Sequence, residues 1–339
     1  MPRKKYSRLA SFAASVTAIA VLAGCSQAST EKPATSGETR EITSEMGKVE
    51  VPVEAKRIVA LDEPAALNLL SIGITPVAVY DSWSTTVPKQ ILEDEGIEIH
   101  STSTWYPELE EVAELDPDLI VGSAAEGFAQ SAPDYSSVAP LVAGLYAGTG
   151  QEIIEAYGEY FDRAEQAEAV AKVLDEMGEA NAQAQGAEPK SLSVLMSWAQ
   201  DNMPLYMDNT NSLHGALASS GFTRPELQDA VPEEGSAFGG WTPFSPEQLP
   251  EHDADVLAVA VAAQYNLDGI TDLPLYEKLG AVTNDHSVVV DGDLWSGGAA
   301  FYTYWVLADL ATFADDSFAP GTEKDAADRW AAFIEAAKA

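Results

Sequence analysis

The stretch "ELEEVAELDPDLIVG" at residues 108–122 decides how this chain folds. Leu109 and Val112 have the spacing of one face of a short helix, Asp116-Pro117 ends that helix, and an apolar run typical of a buried strand follows. A second stretch, "FSPEQLPEHDADVLAVA" at residues 244–260, again places a capped turn before a buried strand. Two such units predict two α/β lobes, each built on a mainly parallel sheet.

The same alternation of strand and helix extends outward from both stretches. Residues 58–61 and 73–81 predict strands, with a helix over residues 64–72 between them. In the second half, residues 191–198 predict a strand, and the apolar run at residues 299–313 predicts a helix packed on the sheet. The two halves of the chain therefore resemble each other in organisation.

A helical segment separates the two halves. Residues 151–185 contain no proline and place Ile153, Ile154 and Tyr157 at helical spacing, which predicts one long helix or two helices broken near Asp162. We therefore predict an N-terminal α/β lobe at residues 46–149, a helical connector at residues 150–186 and a C-terminal α/β lobe at residues 187–339. A cleft between two such lobes is a favoured place for a small ligand.

The start of the chain is typical of an export signal. Four basic residues at positions 3, 4, 5 and 8 precede a short apolar run at residues 9–23, which predicts a signal peptide at residues 1–24. Cys25 is the only cysteine, and "LAGC" at residues 22–25 resembles the lipobox of bacterial lipoproteins. That resemblance implies that Cys25 is lipidated, and the polar residues after it predict a flexible tether over residues 25–45. The protein is expected outside the cytoplasm, anchored to the cell membrane only by lipid.

Composition excludes several classes of function. The chain has 54 acidic and 18 basic residues and a net charge of −36, so its surface repels nucleic acid. A single cysteine excludes an internal disulfide framework. We expect a monomer held together by its hydrophobic core, without a resident metal or cofactor.

Four segments together resemble the substrate-binding lipoproteins of ABC importers for ferric siderophores, haem and cobalamin. They are the two stretches quoted above, "VPVEAKRIVALDEPAALNLLSIGITPVAV" at residues 51–79 and "LGAVTNDHSVVVDGDLWSGG" at residues 279–298. The resemblance covers roughly residues 46–313. It implies two α/β lobes joined by a long rigid helix, a ligand cleft between them, and delivery of the ligand to a membrane permease.

The resemblance also implies a docking role for two glutamates. In the family, a glutamate at the corresponding place on each lobe pairs with arginines of the permease, and here Glu110 and Glu247 hold those places, with Glu111 as the alternative in the first lobe. An acidic residue in the first turn is also favoured by the helix dipole, so capping alone is the competing interpretation.

Large aromatic and apolar side chains are concentrated in the predicted loops after strands, where family ligands bind. Solvated loops seldom carry so many large rings without a partner, although each could instead pack in the core. The candidate ligand-binding residues are Trp83, Trp105, Tyr106, Phe128, Trp198, Met203, Tyr206, Phe238, Trp241 and Trp295.

Few arginines are available to bind an anionic ligand. Arg224 is the only arginine predicted near a loop that could face the cleft, and an exposed position elsewhere is the competing expectation. An aromatic cleft with little positive charge favours a neutral or cationic ferric hydroxamate, such as a ferrioxamine.

Three alternatives within the same fold remain open: haem, cobalamin, and zinc or manganese. A metal-binding cleft requires clustered ligands, whereas His100, His214, His252 and His286 are widely spaced and are expected at surface or cap positions. The alternative of another class is a secreted hydrolase, but the chain contains no G-x-S-x-G or H-E-x-x-H motif. We therefore predict a binding protein and no catalytic residues.

Overall fold

A computed structural model of the protein describes residues 37–83, 85–102, 104–125, 127–232 and 239–338. The described chain begins with an antiparallel hairpin of β1 (Thr39–Ser44) and β2 (Gly47–Pro52). The hairpin extends the N-terminal lobe, because the backbone N–H of Glu45 donates to the carbonyl of Ala143 at 3.0 Å. A strand therefore occupies the end of the segment predicted as flexible tether, and the burial of Ile42 explains why it is ordered.

The N-terminal lobe contains a five-stranded sheet in the order β5-β4-β3-β6-β7, and every neighbouring pair is parallel. Buried β-branched and aliphatic residues fill the strands, as expected for a parallel sheet covered on both faces. The strands are β3 (Ile58–Ala60), β4 (Ala78–Asp81), β5 (Glu98–Ser101), β6 (Leu119–Ser123) and β7 (Leu141–Gly144). The helices are α1 (Glu63–Ser71), α2 (Thr86–Asp94), α3 (Leu109–Glu114) and α4 (Phe128–Ser131), with a 3₁₀ turn at Tyr135–Ser137.

The connector consists of two helices, α5 (Gly150–Phe161) and α6 (Ala164–Gln185). Asp162 between them has left-handed backbone with φ of 55°, which ends α5 and matches the predicted break. The helices fold back on each other: Gln151 Nε2 donates to Asp175 Oδ1 at 2.8 Å across 24 positions. The connector is therefore a packed helical hairpin, and α6 is its long member.

The C-terminal lobe also contains a five-stranded sheet, but this sheet is mixed and not wholly parallel. Its sheet has the order β10-β9-β8-β11-β12, in which β8, β11 and β12 are parallel and β9 is antiparallel to both of its neighbours. The strands are β8 (Leu192–Ser197), β9 (Pro204–Met207), β10 (Trp241–Pro243), β11 (Val256–Val261) and β12 (Ser287–Asp291). The prediction of two α/β lobes with mainly parallel sheets is confirmed.

Helices of the C-terminal lobe pack around this sheet and across to the first lobe. They are α7 (His214–Ser219), α8 (Glu226–Asp229), α9 (Asp268–Thr271), α10 (Gly280–Thr283), α11 (Ala300–Ala314) and α12 (Ala326–Ala336). Short 3₁₀ segments lie at Pro246–His252, Tyr276–Lys278, Leu294–Ser296 and Glu323–Asp325.

Helix α11 lies at the centre of the molecule. We predicted that it packs on a sheet, but its chief contacts are with α6, α5, the 3₁₀ segment Leu294–Ser296 and α1. Helices of both lobes can cover it because it is apolar on nearly every face. One hydrophobic core accordingly contains buried residues of both lobes and the connector. Among the described residues, no helix has the length and hydrophobicity needed to cross a bilayer.

Candidate functional site

A cavity of about 270 Å³ lies between the lobes, where the loops that follow the strands of both sheets meet. This is the position expected of a ligand site in open α/β sheets. The N-terminal lobe contributes one wall, which is made of Trp83, Thr85, Trp105, Ala125 and Tyr146. The C-terminal lobe contributes the opposite wall, which is made of Met196, Trp198, Gly239, Trp241, Gln264, Tyr265, Asp293 and Ser296.

Three rings in mutual contact form the N-terminal wall. Trp83 stacks on Trp105 with ring centroids 5.8 Å apart, and it meets Tyr146 edge to face at 5.3 Å. Trp105 is 50% exposed, so an apolar surface remains open to the cavity. Such rings present flat apolar faces to a ligand at a small cost in side-chain entropy.

A buried carboxylate holds the loop that carries Trp83. Glu63, at the start of α1, accepts hydrogen bonds from the backbone N–H groups of Trp83 at 3.1 Å and Thr85 at 3.2 Å. Its carboxylate also accepts from the Thr85 hydroxyl at 3.1 Å. Burial raises the pKa of Glu63 to about 8, and the hydrogen bonds from the backbone N–H groups of Trp83 and Thr85 oppose that rise. These hydrogen bonds fix the backbone that places Trp83 in the wall.

A glycine allows the two lobes to meet beneath the cavity. Gly298, with φ of 98°, lies directly against the ring of Tyr146, and a Cβ atom at this position would overlap the ring. The carbonyl of Gly298 also accepts a hydrogen bond from Asn68 Nδ2 at 3.2 Å. The floor of the cavity thus depends on close backbone approach that only glycine permits.

The C-terminal wall is also aromatic. Trp198 and Tyr265 lie with ring centroids 5.1 Å apart. The Tyr265 ring covers Gly292, since a Cβ there would be 2.9 Å from its Cδ2 atom. Trp241 completes this wall at the start of β10. Both sides of the cavity therefore present aromatic rings to a ligand.

Asp293 is the only charged residue among the described residues that line the cavity. Burial and the neighbouring Asp291 carboxylate raise the pKa of Asp293 to about 7. No described arginine lines the cavity. The electrostatic character of this site is negative or neutral and does not suit a strongly anionic ligand.

Four of the ten predicted ligand residues line this cavity: Trp83, Trp105, Trp198 and Trp241. Phe238 lies outside the described residues. The other five point elsewhere because each has packing partners inside its own lobe.

Three of those five are core residues, which corrects the expectation that they face the cleft. Phe128 is 2% exposed and packs in the core of the N-terminal lobe. Tyr206 is 5% exposed and contacts Phe244 and His252. Trp295 is fully buried, and its indole N–H donates to Asp309 Oδ2 at 2.9 Å.

The remaining two are partly buried at the edges of the core. Tyr106 meets Phe128 edge to face at 5.5 Å, and Met203 packs against the main core. Neither lines the cavity, because both complete the hydrophobic packing of their own lobe.

Sequence reasoning missed two aromatic members of the walls. Tyr146 follows β7 and Tyr265 follows β11, so the rule that ligand residues follow strands applies to both. Asp293 was missed as well, although it follows β12 in the same way. A search of every loop after a strand, for all residue types, would have found them.

The four histidines do not come together. His252, expected in an exposed turn, is fully buried: Gln228 Nε2 lies 3.0 Å from its Nδ1, and its ring packs on Phe244 with centroids 4.3 Å apart. Burial and the nearby Arg224 charge lower the pKa of His252 to about 4. Over the described residues, no group of three His, Cys, Asp or Glu side chains could hold a metal ion.

Arg224 points into the C-terminal lobe and not into the cavity. Its guanidinium donates to the carbonyl of Met207 at 2.7 Å and to Gln228 Oε1 at 2.6 Å. Burial lowers its pKa to about 10. This arginine stabilises the interior of the lobe, and neither of the two positions considered from the sequence is correct.

Glu110 and Glu247 occupy equivalent positions on the two lobes. Each is exposed in the first turn of a short helical segment, and the segments precede β6 and β11, which hold the same place in the two sheets. The capping hydrogen bonds are made by Glu111 in the first lobe and by Gln248 in the second. Neither glutamate accepts one of these capping hydrogen bonds, and each keeps the first-turn position that the helix dipole favours. Cys25 lies outside the described residues.

Comparison with known proteins gives matches over most of the chain. The "probable siderophore-binding lipoprotein YfiY" of Bacillus subtilis (strain 168) is 27% identical over 315 residues, which cover 87% of this chain and 94% of that protein. The FhuD protein from S. pseudintermedius has a TM-score of 0.65 at 20% identity and covers 83% of this chain and 100% of its own. SirA of Staphylococcus aureus, solved with staphyloferrin B, has a TM-score of 0.65 at 22% identity. The match covers 82% of this chain and 99% of the SirA chain.

The family comparison settles the class of protein. The model of the periplasmic binding protein family matches residues 58–294, well over half of the chain, from the first strand of the N-terminal sheet to the loop after β12. The prediction of a binding protein and not an enzyme is confirmed, and the chain belongs to the periplasmic binding protein family.

Proposed function

We propose that this protein captures a ferric siderophore, of the neutral or cationic hydroxamate class, and delivers it to the permease of an ABC importer. The observation that carries the proposal is the cavity between the lobes, which is walled by aromatic rings and has a carboxylate and no described arginine. The name of the YfiY relative supports a siderophore as the ligand class. Lipidation of Cys25 would hold the protein, acting as a monomer, beside its permease.

The charge of the cavity selects among ferric complexes. A ferric tricatecholate carries three negative charges and would meet Asp293 without a compensating cation from the described wall. A ferric trihydroxamate core is neutral, because three singly charged hydroxamates balance Fe³⁺. Its apolar linkers can lie against the tryptophan faces without an unpaired buried charge.

Binding is tested by titrating the purified protein with a ferric trihydroxamate, a ferric tricatecholate, haem and cobalamin while tryptophan fluorescence is recorded. We expect saturable quenching by the trihydroxamate alone. Trp105→Ala should weaken that binding about tenfold, because an aromatic contact contributes about 0.5–1.5 kcal/mol beyond the apolar area that it buries. Val289→Ala is the matched control, since Val289 is also 50% exposed and does not line the cavity. Tight binding of the catecholate complex and none of the hydroxamate would overturn the proposal.

Delivery is tested separately from capture. We propose that Glu110 and Glu247 pair with cations of the permease, and their exposed, equivalent positions support this role. A Glu110→Lys/Glu247→Lys variant should bind the ferric complex as the wild type does but lose uptake into cells. Glu155→Lys/Glu168→Lys makes the same change of charge on the exposed face of the connector and should retain uptake. Equal uptake by all three proteins would remove the docking role.

A further inference from the structure

Asp293 combines exposure to the cavity with an incomplete set of partners. It lies in the loop between β12 and α11, and one carboxylate oxygen, Oδ2, accepts a hydrogen bond from the backbone N–H of Thr86 at 3.3 Å. This is a long hydrogen bond, and it comes from the opposite lobe. None of the ion pairs between described residues includes Asp293, so no cation of the described chain matches its charge.

The neighbouring carboxylate is different. Asp291 Oδ1 accepts from the backbone N–H groups of Asp293 at 3.0 Å and Leu294 at 3.2 Å, so it holds the turn and is used structurally. Asp291 does not line the cavity. Asp293 is therefore the carboxylate of this loop with capacity for a ligand.

The rings beside Asp293 also favour a cation. Tyr265 covers Gly292, the residue before Asp293 in the chain, and Trp198 lies against Tyr265. An ammonium group next to a carboxylate and within reach of aromatic faces is stabilised by both the ion pair and cation–π attraction. Burial and the Asp291 carboxylate raise the pKa of Asp293, which is the effect expected of a half-buried carboxylate that lacks a cation.

We infer that Asp293 is a specificity-determining residue that receives an ammonium group carried by the ferric complex. The inference rests on the proposed function and deepens it, since it names a ferric hydroxamate with a pendant primary amine as the ligand class. The aromatic walls contact the apolar linkers and the neutral iron core, while Asp293 fixes the orientation of the complex through its charged end. A complex with the same core and no charge fills the same cavity but does not form the ion pair.

The test compares two ferric trihydroxamates that differ only at the terminal amine. Ferrioxamine B has a free, positively charged amine, and its N-acetylated form is neutral. We expect the wild-type protein to bind the amine form at least about tenfold more tightly than the acetylated form, because a charge-assisted hydrogen bond contributes that much. Asp293→Asn should remove that preference by weakening the amine form alone. Asp285→Asn changes the net charge equally at an exposed position and should keep the preference.

Each outcome decides the inference. Equal affinity of the wild type for the two complexes overturns it and leaves the proposed function intact, and this comparison needs no variant to fold. Equal weakening of both complexes by Asp293→Asn also overturns it, because the residue then acts on the shape of the cavity. Binding of neither complex overturns the inference together with the hydroxamate proposal.

Discussion

Asn68 joins the two lobes beneath the cavity, and its removal should destabilise the whole protein. The side chain is fully buried in α1. Its Nδ2 donates to the carbonyl of Gly298 at 3.2 Å, and its Oδ1 accepts from the backbone N–H of Ala300 at 3.1 Å. Ala300 begins α11, and the preceding Ala299 has no polar side chain to cap that helix. Asn68 therefore caps α11 from a distant part of the chain.

The cost of Asn68→Ala follows from the two backbone groups left without partners. Each buried unsatisfied group costs about 1–3 kcal/mol, and loss of a helix cap alone costs about 1 kcal/mol. We expect the free energy of unfolding to fall by about 2–5 kcal/mol. Urea unfolding followed by tryptophan fluorescence measures this as a lower midpoint at unchanged slope.

Ser71→Ala provides the matched control for this prediction. Ser71 is also buried in α1, but its hydroxyl donates only to the carbonyl of Leu67 at 2.7 Å, within the same helix. That variant should cost less than about 1.5 kcal/mol, the net value of one ordinary hydrogen bond. If Asn68→Ala costs no more than Ser71→Ala, the interpretation of Asn68 as a cap between lobes is wrong.

Two further predictions concern buried titratable side chains. Arg329 Nη1 donates to the fully buried Asp309 at 2.7 Å. Arg329→Met should lower the free energy of unfolding by about 3–5 kcal/mol, because it leaves the Asp309 charge buried without a partner. Adding Asp309→Asn should recover part of that loss. Urea midpoints of the single and double variants check this, and an additive loss in the double variant would contradict it. Burial and the Arg224 charge lower the pKa of His252 to about 4. The unfolded chain therefore binds a proton on His252 near pH 6.5, whereas the folded chain binds it only near pH 4. The free energy of unfolding consequently falls as the pH drops from about 6.5 to 4. His252→Asn should reduce this pH-dependent loss of the free energy of unfolding by up to about 3 kcal/mol. Urea unfolding of both proteins at a series of pH values measures the loss. Parallel curves of stability against pH would contradict the prediction.

The sequence was sufficient to predict the lobes because the patterns that define them are local. The helix, stop and strand at residues 108–122 depend on neighbours within a few positions, and the turn and strand at residues 244–260 do likewise. The break at Asp162 was predictable for the same reason. These features require no knowledge of which distant segments meet.

The orientation of each aromatic ring depends on such distant segments. Trp198 and Trp295 both follow a strand, yet Trp198 lines the cavity whereas Trp295 is buried against Asp309, which the sequence places on the next helix. His252 lies among polar neighbours in the chain, but the packing of the lobe places Phe244 and Gln228 against its ring. Local composition therefore led to wrong predictions for Trp295, which was expected in the cleft, and for His252, which was expected at the surface.

The shared core has a consequence for how ligand occupancy spreads through the molecule. Since α11 contacts helices of both lobes and the connector, neither lobe can unfold without exposing it. A ligand that binds the folded form suppresses every opening that breaks this core, including openings far from the cavity. Amide hydrogens of α11 should consequently exchange more slowly in the loaded protein, although the helix contributes no side chain to the cavity walls.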